Sequence, residues 1–256
     1  MSKSDKRGTN DWSLDIKEMS WTEDTENQVD FIIKTLSLTG SERILDLACG
    51  FGRHSLSFAK RGYSVVGVDI TTAFIEDAKK SAGEMSLSAE FCQSDILDVT
   101  YDNEFDVVLN LADGAIGYLK DDAENLKFFD VISRALKPGG KHFMDICDAD
   151  HAETYFPKKH WEVGKKSLSL AQFDWYPETR RMKYEGDHLN FGEITRLPDI
   201  DMNSPGSMRL YSLSELHEIF RERSMEIISS YSDYYGKPNT NKELQLIVYS
   251  RKIKMS

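Results

Sequence analysis

ILDLACGFGRHS, residues 44–55, is the most informative stretch of the chain. It begins with an apolar run that is typical of a buried strand, and three small residues, Ala48, Gly50 and Gly52, follow at alternate positions. Small residues permit a tight turn and let a ligand approach the backbone closely. A helical pattern begins at Arg53, so the stretch predicts a strand, a ligand-binding turn and a helix.

Apolar strands and helical patterns alternate through the following hundred residues. The predicted strands are 43–48, 64–70, 89–96, 104–112 and 137–147, and the predicted helices are 53–62, 72–82 and 123–136. Strands that alternate with helices and are apolar on both faces form a parallel sheet between two helical layers. With two more strand patterns near the C-terminus, we predict a doubly wound α/β fold whose seven-stranded sheet is mostly parallel.

The remaining segments complete one domain, residues 1–256. Residues 1–40 are predicted as an N-terminal lid or helical segment, with a capping box between Ser20 and Glu23 and a helix of about four turns. Residues 43–154 form the predicted cofactor-binding core, and residues 155–210 an antiparallel insertion in the sheet, with strands joined by a turn around 177–178. Residues 211–256 form a closing helix, which either Ser212 or Ser214 could cap, and a hairpin.

Composition limits the classes of function. A net charge of −11 argues against a broad nucleic-acid-binding face, because such faces are usually basic. The cysteines, Cys49, Cys92 and Cys147, lack paired C-x-x-C spacing, so we expect no metal site and a reducing compartment. No apolar run approaches the ~18 residues of a membrane span, and the N-terminus lacks a signal-peptide pattern. We therefore expect a cytoplasmic protein without nucleic-acid or membrane partners.

Segments spread over residues 43–148 resemble one known family. LDLACGFGRHS, VVGVDI, CQSDI, FDVVLNLADGAIGYL and LKPGGKHFMDI are similar, in order and spacing, to motifs of the class I S-adenosylmethionine-dependent methyltransferases. The closing segments MEIISSYSDYY and ELQLIVYSRK resemble the antiparallel hairpin of that family. The resemblance implies S-adenosylmethionine as the cofactor and methyl transfer as the activity.

The resemblance also implies which residues bind the cofactor. The small-residue turn would hold its methionine part, Asp69 both ribose hydroxyls, and Asp95 the adenine amino group, with charge-assisted hydrogen bonds to the carboxylates. The implied set is Asp46, Ala48, Gly50, Gly52, Asp69, Ile70, Asp95, Ile96, Asn110 and Leu111. Structural alternatives stay open: Asp69 could cap the next helix, Asp95 could be a turn acid, and Asp46 could bond its own turn.

Candidates for catalysis and substrate binding lie after the fourth and fifth strands and in the insertion. Asp113 and Tyr118 are the catalytic candidates, because a nucleophile that keeps a proton needs a base. The substrate-pocket candidates are Trp21, Asp148, Tyr155, Arg209 and Tyr211, with Trp12 as a further aromatic that could close over the substrate and Asp145 and Asp150 as further acids.

The substrate class follows from the residues after the fourth strand. Amide-adenine methyltransferases carry N-P-P-Y or D-P-P-Y there, whereas this chain reads Asn110-Leu-Ala-Asp. The run N-L-x-x-x-x-G-Y and the insertion resemble small-molecule methyltransferases, including those acting on glycine-type amines and amino sugars, in which the insertion forms a lid or joins subunits. We expect a small-molecule substrate with a nitrogen or oxygen acceptor, and an insertion that could mediate a homodimer. The local acids suit a cationic or amine substrate.

Two other functions stay open at this point. A nicotinamide-dependent oxidoreductase would carry G-x-G-x-x-G, but Ala48 opens the turn and Ser55 stands at the last glycine position. A non-catalytic module that binds the cofactor or a partner protein is the other alternative, since methyl transfer has no single obligatory residue.

Overall fold

The computed structural model describes residues 13–164, 167–192 and 206–254, and its centre is the predicted doubly wound sheet. Five strands run parallel to one another: β1 (Arg43–Leu47), β2 (Ser64–Asp69), β3 (Ala89–Gln93), β4 (Phe105–Asn110) and β5 (Leu136–Cys147). The helices around them are α1 (Thr25–Leu36), α2 (Arg53–Lys60), α3 (Thr72–Glu84) and α4 (Asp122–Ala135). The alternation predicted from the sequence is confirmed.

Two C-terminal strands complete the central sheet. After α6 (Leu213–Arg221), β10 (Met225–Tyr231) and β11 (Gln245–Lys252) form an antiparallel hairpin, and β11 pairs antiparallel with β5. The strand order is β3-β2-β1-β4-β5-β11-β10. The chain therefore changes direction between β1 and β4, and ligands of such sheets bind at the carboxyl ends of the strands beside this switch point.

The core has a layer on each face of the sheet, as the alternation of side chains along a strand requires. In β1, the buried Leu45 belongs to a cluster with Phe129 of α4, whereas its neighbour Ile44 belongs to a second cluster with Phe58 of α2. Residues 44–47 of β1 are buried throughout because both faces of the strand are covered by helices.

The N-terminal segment differs from the prediction. Ser20–Thr22 forms a 3₁₀ turn, and α1 begins only at Thr25, after Asp24. The Thr22 hydroxyl donates to the carbonyl of Met19 at 2.8 Å, which closes this turn separately from the helix. The predicted capping box at Ser20 is therefore wrong. None of the helices in the described ranges is long and apolar enough to cross a membrane.

The insertion forms a second sheet of its own. Its helix and strands are α5 (Ala149–Tyr155), β6 (Lys158–Val163), β7 (Ser167–Tyr176), β8 (Arg181–Asn190) and β9 (Gly206–Arg209), with all strand pairs antiparallel. The predicted β7–β8 hairpin is confirmed, but the insertion does not join the central sheet. The Arg209 N–H donates to the carbonyl of Gly117 at 2.9 Å, so the second sheet is tied to the loop after β4.

Candidate functional site

A cavity of about 980 Å³ lies at the carboxyl ends of the central strands. Its floor is formed by the segments that follow β1, β2, β3 and β4 and by the end of β5. The N-terminal segment, through Ile16, Met19 and Trp21, and the second sheet provide its other walls. The volume falls at the upper end of the range typical of small-molecule and cofactor sites.

The small-residue turn after β1 lies on the cavity floor in a left-handed backbone conformation. Ala48, Gly50 and Gly52 have φ angles of 58°, 56° and 77°. The Gly50 N–H donates to the Asp69 carboxylate at 2.9 Å, and the Cys49 N–H donates to the carbonyl of Val68 at 3.0 Å. The end of β2 therefore holds the turn in place, with little side-chain bulk between the backbone and the cavity.

Asp69 lies at the end of β2 with its carboxylate beside the cavity. Besides the Gly50 N–H, it accepts the Thr71 N–H at 2.8 Å. Thr71, not Asp69, is the residue that precedes α3. A carboxylate can accept about four hydrogen bonds, so these two leave capacity for a diol. The next residue, Ile70, is 44% exposed and lines the cavity, where an apolar side chain can cover an aromatic ring.

The acids of β1 and of the loop after β3 also line the cavity. Asp46 is buried and accepts the Ser55 hydroxyl at 2.6 Å, and burial raises the pKa of Asp46 to about 6. Ser55, which replaces the last glycine of a dinucleotide fingerprint, thus fixes this carboxyl group. Asp95 accepts the Leu97 N–H at 2.9 Å, and the buried Ile96 lies beside it.

Two of the implied cofactor residues, Gly52 and Asn110, lie behind the cavity wall. Gly52 directly precedes α2. The buried Asn110 amide donates to the carbonyl of Gly114 at 2.5 Å and to that of Leu47 at 3.4 Å, so it holds the loop after β4. The other eight implied residues, including Leu111, line the cavity.

Asp113, Tyr118 and Trp21 line the cavity as expected from the sequence. Asp113 and Tyr118 lie in the loop after β4, and Trp21 lies in the N-terminal segment, where the guanidinium of Arg53 is 5.4 Å from its ring centroid. Trp12 lies outside the described residues.

The four other substrate-pocket candidates do not line the cavity, and their side chains have partners elsewhere in the structure. Asp148 accepts the N–H two residues further on and starts α5, and the Tyr155 ring at the end of that helix lies 4.7 Å from the His151 ring, centroid to centroid. Arg209 forms an ion pair with Glu215 at 2.6 Å, and its guanidinium lies 4.4 Å from the ring centroid of the buried Tyr211.

The structure adds residues that the sequence did not suggest. Arg53, the first residue of α2, lines the cavity and donates to Gln28 at 2.6 Å and to Thr25 at 2.8 Å. On β6, His160 and Glu162 line the cavity at alternate positions. The position of Arg53 directly after the turn is a usable signal, whereas the β6 pair could not be found without predicting that strand.

Charge in the cavity is predominantly negative. Among the described residues that line it are seven carboxyl groups and no lysine, and Arg53 is the one guanidinium. The carboxyl groups belong to Asp46, Asp69, Asp95, Asp113, Asp145, Glu162 and Glu185. Such a lining favours a cationic ligand over an anionic one.

A cavity at the switch point of a doubly wound sheet, with a small-residue turn after β1 and an acid after β2, defines an α/β protein that binds a nucleoside-containing cofactor. The family model described as "Methyltransferase domain" matches residues 38–197, which is more than half of the chain. The chain belongs to this methyltransferase family, and the resemblance seen in the sequence is confirmed.

Curated proteins that are similar to this chain in sequence are designated methyltransferases. The ubiquinone biosynthesis O-methyltransferase of Actinobacillus pleuropneumoniae serotype 5b is 27% identical over 183 residues, which are 64% of this chain and 76% of that protein. The cypemycin N-terminal methyltransferase of Streptomyces is 32% identical over 105 residues, 41% of this chain and 42% of that protein. The chain spans about half the length of the first curated relatives it matches.

Solved structures share the fold over nearly the whole chain. An S-adenosylmethionine-dependent methyltransferase from Clostridium acetobutylicum has a TM-score of 0.74 at 17% identity, covering 94% of this chain and 96% of that one. CalS10 of Micromonospora echinaspora, an amino pentose methyltransferase solved with S-adenosylmethionine bound, has a TM-score of 0.62 at 17% identity, covering 92% and 93%. The predicted class I methyltransferase fold is confirmed.

Proposed function

We propose that this chain transfers a methyl group from S-adenosylmethionine to a nitrogen or oxygen atom of a small molecule. The observation that carries the proposal is the Asp69 carboxylate. It is fixed at the end of β2 by the N–H groups of Gly50 and Thr71, and it keeps acceptor capacity for the two hydroxyls of a ribose. Family membership and the relatives that act on nitrogen or oxygen support the same function.

The residues of the cavity fit the methyl donor. S-adenosylmethionine, when bound, supplies a methyl carbon on a positively charged sulfur that is open to in-line displacement. The acids of the floor suit that charge, and the turn from Ala48 to Gly52 leaves room beside the backbone. Met19 and Trp21 cover the cavity from the N-terminal side, where they would exclude water. These residues act by binding and orienting the two substrates.

The partner and location predictions belong to the same proposal. A small-molecule substrate agrees with the size and partly aromatic lining of the cavity, which includes Phe51 and Phe173. The homodimer, the absence of nucleic-acid partners and the cytoplasmic location remain predictions from the sequence.

Calorimetric titration tests the proposal. S-adenosylmethionine, its demethylated product S-adenosylhomocysteine and NADH would be titrated into the wild type, Asp69→Ala and the control Asp98→Ala, in which an exposed acid is removed. We expect micromolar binding of the first two ligands, weakened about tenfold to hundredfold by Asp69→Ala, as for lost hydrogen bonds to a charged group. Absence of binding, or preferential binding of NADH, would contradict the proposal.

A further inference from the structure

The loop after β4 directs one carboxyl group into the cavity at a cost in backbone energy. Ala112, Asp113 and Ala115 have φ angles of 53°, 61° and 66°, in the left-handed region that non-glycine residues rarely adopt. Such conformations are strained for non-glycine residues and persist only where surrounding contacts impose them. Here the Asp113 N–H donates to the carbonyl of Asp145 at 2.9 Å. The loop conformation is thus fixed by β5.

Cys147 provides both hydrogen-bond donors that contact the Asp113 carboxylate. The Cys147 N–H donates to its Oδ1 at 2.7 Å, and the Cys147 thiol lies 3.6 Å from its Oδ2. In the described part of the chain, no arginine, lysine or histidine side chain forms a hydrogen bond or ion pair with Asp113. The carboxyl group is therefore oriented but not neutralised, and it can still accept a proton from a ligand.

The surroundings make Asp113 a stronger base than an ordinary aspartate. Burial, and secondly the charge of Asp145, raise the pKa of Asp113 to about 7. The titratable groups that face it are Asp145 and Cys147 of β5, Tyr118 of its own loop, and Tyr234 after β10. Burial raises the pKa of Asp145 as well, and hydrogen bonds from Tyr234 and Gln245, at 2.8 and 3.0 Å, act against that rise.

Aromatic rings form the wall beside Asp113. Tyr118 and Tyr184 meet edge to face with ring centroids 6.5 Å apart, and their hydroxyls are 3.4 Å apart. Phe173 of β7 lines the same cavity. Burial raises the pKa of Tyr118 well above its usual value, so this phenol keeps its proton near neutral pH. Ring faces combined with a carboxylate are the chemistry that recognises an ammonium group.

We infer that the methyl acceptor is an amine that enters as its ammonium ion, and that Asp113 is the catalytic base that removes the ammonium proton. This inference rests on the proposed function. The proton passes from nitrogen to the Asp113 carboxylate and leaves a neutral amine. The nitrogen lone pair then forms the bond to the methyl carbon while the carbon–sulfur bond breaks and its electron pair stays on sulfur. The methylated nitrogen carries the positive charge, and Asp113 returns its proton to solvent.

Binding of amines gives a test that does not depend on turnover. Benzylamine, cyclohexylamine and glucosamine would be titrated into the protein saturated with S-adenosylhomocysteine, each beside the matched neutral compound benzyl alcohol, cyclohexanol or glucose. Benzylamine and cyclohexylamine are ammonium ions at both pH 8 and pH 5.5. A change in their affinity between these pH values therefore reports ionisation of the protein. We expect amines to bind in preference to their neutral counterparts. We expect the affinity for benzylamine and cyclohexylamine to be about thirtyfold lower at pH 5.5 than at pH 8, since few Asp113 groups are ionised at pH 5.5.

Variants test whether the amine preference and its pH dependence come from Asp113. Asp113→Asn should abolish the amine preference and its pH dependence, whereas Asp102→Asn, at an exposed aspartate, should retain both. With S-adenosylmethionine present, methylated amines should be detected by mass spectrometry, and Asp113→Asn should lower kcat about hundredfold or more. Equal binding of amines and neutral compounds, methylation of the hydroxyl compounds alone, methylation of none, or full activity of Asp113→Asn would overturn the inference. Failure of the wild type to bind either cofactor form would instead overturn the proposed function.

Discussion

The ring of Phe91, on β3, lies so close to Gly52 that a Cβ atom on residue 52 would come 2.8 Å from it. Gly52 also has a φ angle of 77°. Phe91 itself is buried in a cluster with Leu56 and Ile75. The third small residue of the turn is therefore required by packing on the neighbouring strands as well as by its backbone conformation, although it does not line the cavity.

Gly52→Ala should destabilise the protein more than Gly62→Ala. Both glycines have left-handed φ angles, but a Cβ atom on Gly62 would meet no atom within 4 Å. Each variant should lose about 1 kcal/mol for the backbone, and Gly52→Ala a further ~1–3 kcal/mol for overpacking against Phe91. Urea unfolding measures both losses, and Phe91→Leu in the Gly52→Ala background should recover part of the difference. Equal losses at the two positions would refute the packing argument.

The central sheet and half of the site could be predicted because their signals are local in sequence. Continuous apolar runs mark buried parallel strands, and the small residues and acids that follow them necessarily lie at the carboxyl edge of the sheet. Asp69 is an example, since its place at the end of β2 alone determines that it lies beside the turn that contains Gly50.

The remaining errors concern side-chain partners and a strand that the sequence pattern does not reveal. Arg209 ends the last strand of the insertion and is typical of a residue at a cavity rim, but Glu215 of α6 forms an ion pair with its guanidinium. Strand β6, KKHWEV, is rich in charged and polar residues, so no apolar pattern marks it as a strand. The cavity face formed by His160 and Glu162 could not be predicted without it.

Ser212, rather than Ser214, should control the stability of α6. Ser212 accepts the Glu215 N–H at 3.3 Å, and the Glu215 carboxylate accepts the Ser212 N–H at 2.8 Å, which is a complete capping box. Ser212→Ala should lower the free energy of unfolding by about 1 kcal/mol, measured with urea. Ser214→Ala, at an exposed position, should change it by less than ~0.5 kcal/mol. A larger loss of stability in Ser214→Ala than in Ser212→Ala would show that Ser212 is not the residue that caps α6.

The Cys147 thiol should lower the pKa of Asp113 without acting as a base itself. Its thiol donates to Asp113, and this hydrogen bond lowers the pKa of Asp113 against the effect of burial. Cys147→Ala should therefore shift the pH midpoint of amine binding upward by about half a unit, whereas Cys147→Ser retains a donor and should not raise it. Cys92→Ala, at an exposed cysteine, is the matched control. A midpoint that is unchanged in Cys147→Ala would show that the thiol does not act on Asp113.

Asp113→Asn should stabilise the fold, and more at pH 8 than at pH 5. The pKa of Asp113 is about 7 in the folded protein, above its ordinary value of 3.8, so the folded state binds this proton more tightly than the unfolded state. Its contribution to stability is greatest below pH 3.8, decreases as the pH rises, and becomes constant above about pH 7. Asparagine has no proton to lose, so its advantage in the free energy of unfolding should be about 2–3 kcal/mol larger at pH 8 than at pH 5. Burial likewise raises the pKa of Asp46 to about 6, but this group is present in both proteins and cancels from the difference.

Urea unfolding at the two pH values, with Asp102→Asn as the exposed control, measures the effect. A stabilisation that is equal at both pH values would mean that Asp113 ionises normally in the folded protein and is not a tuned base.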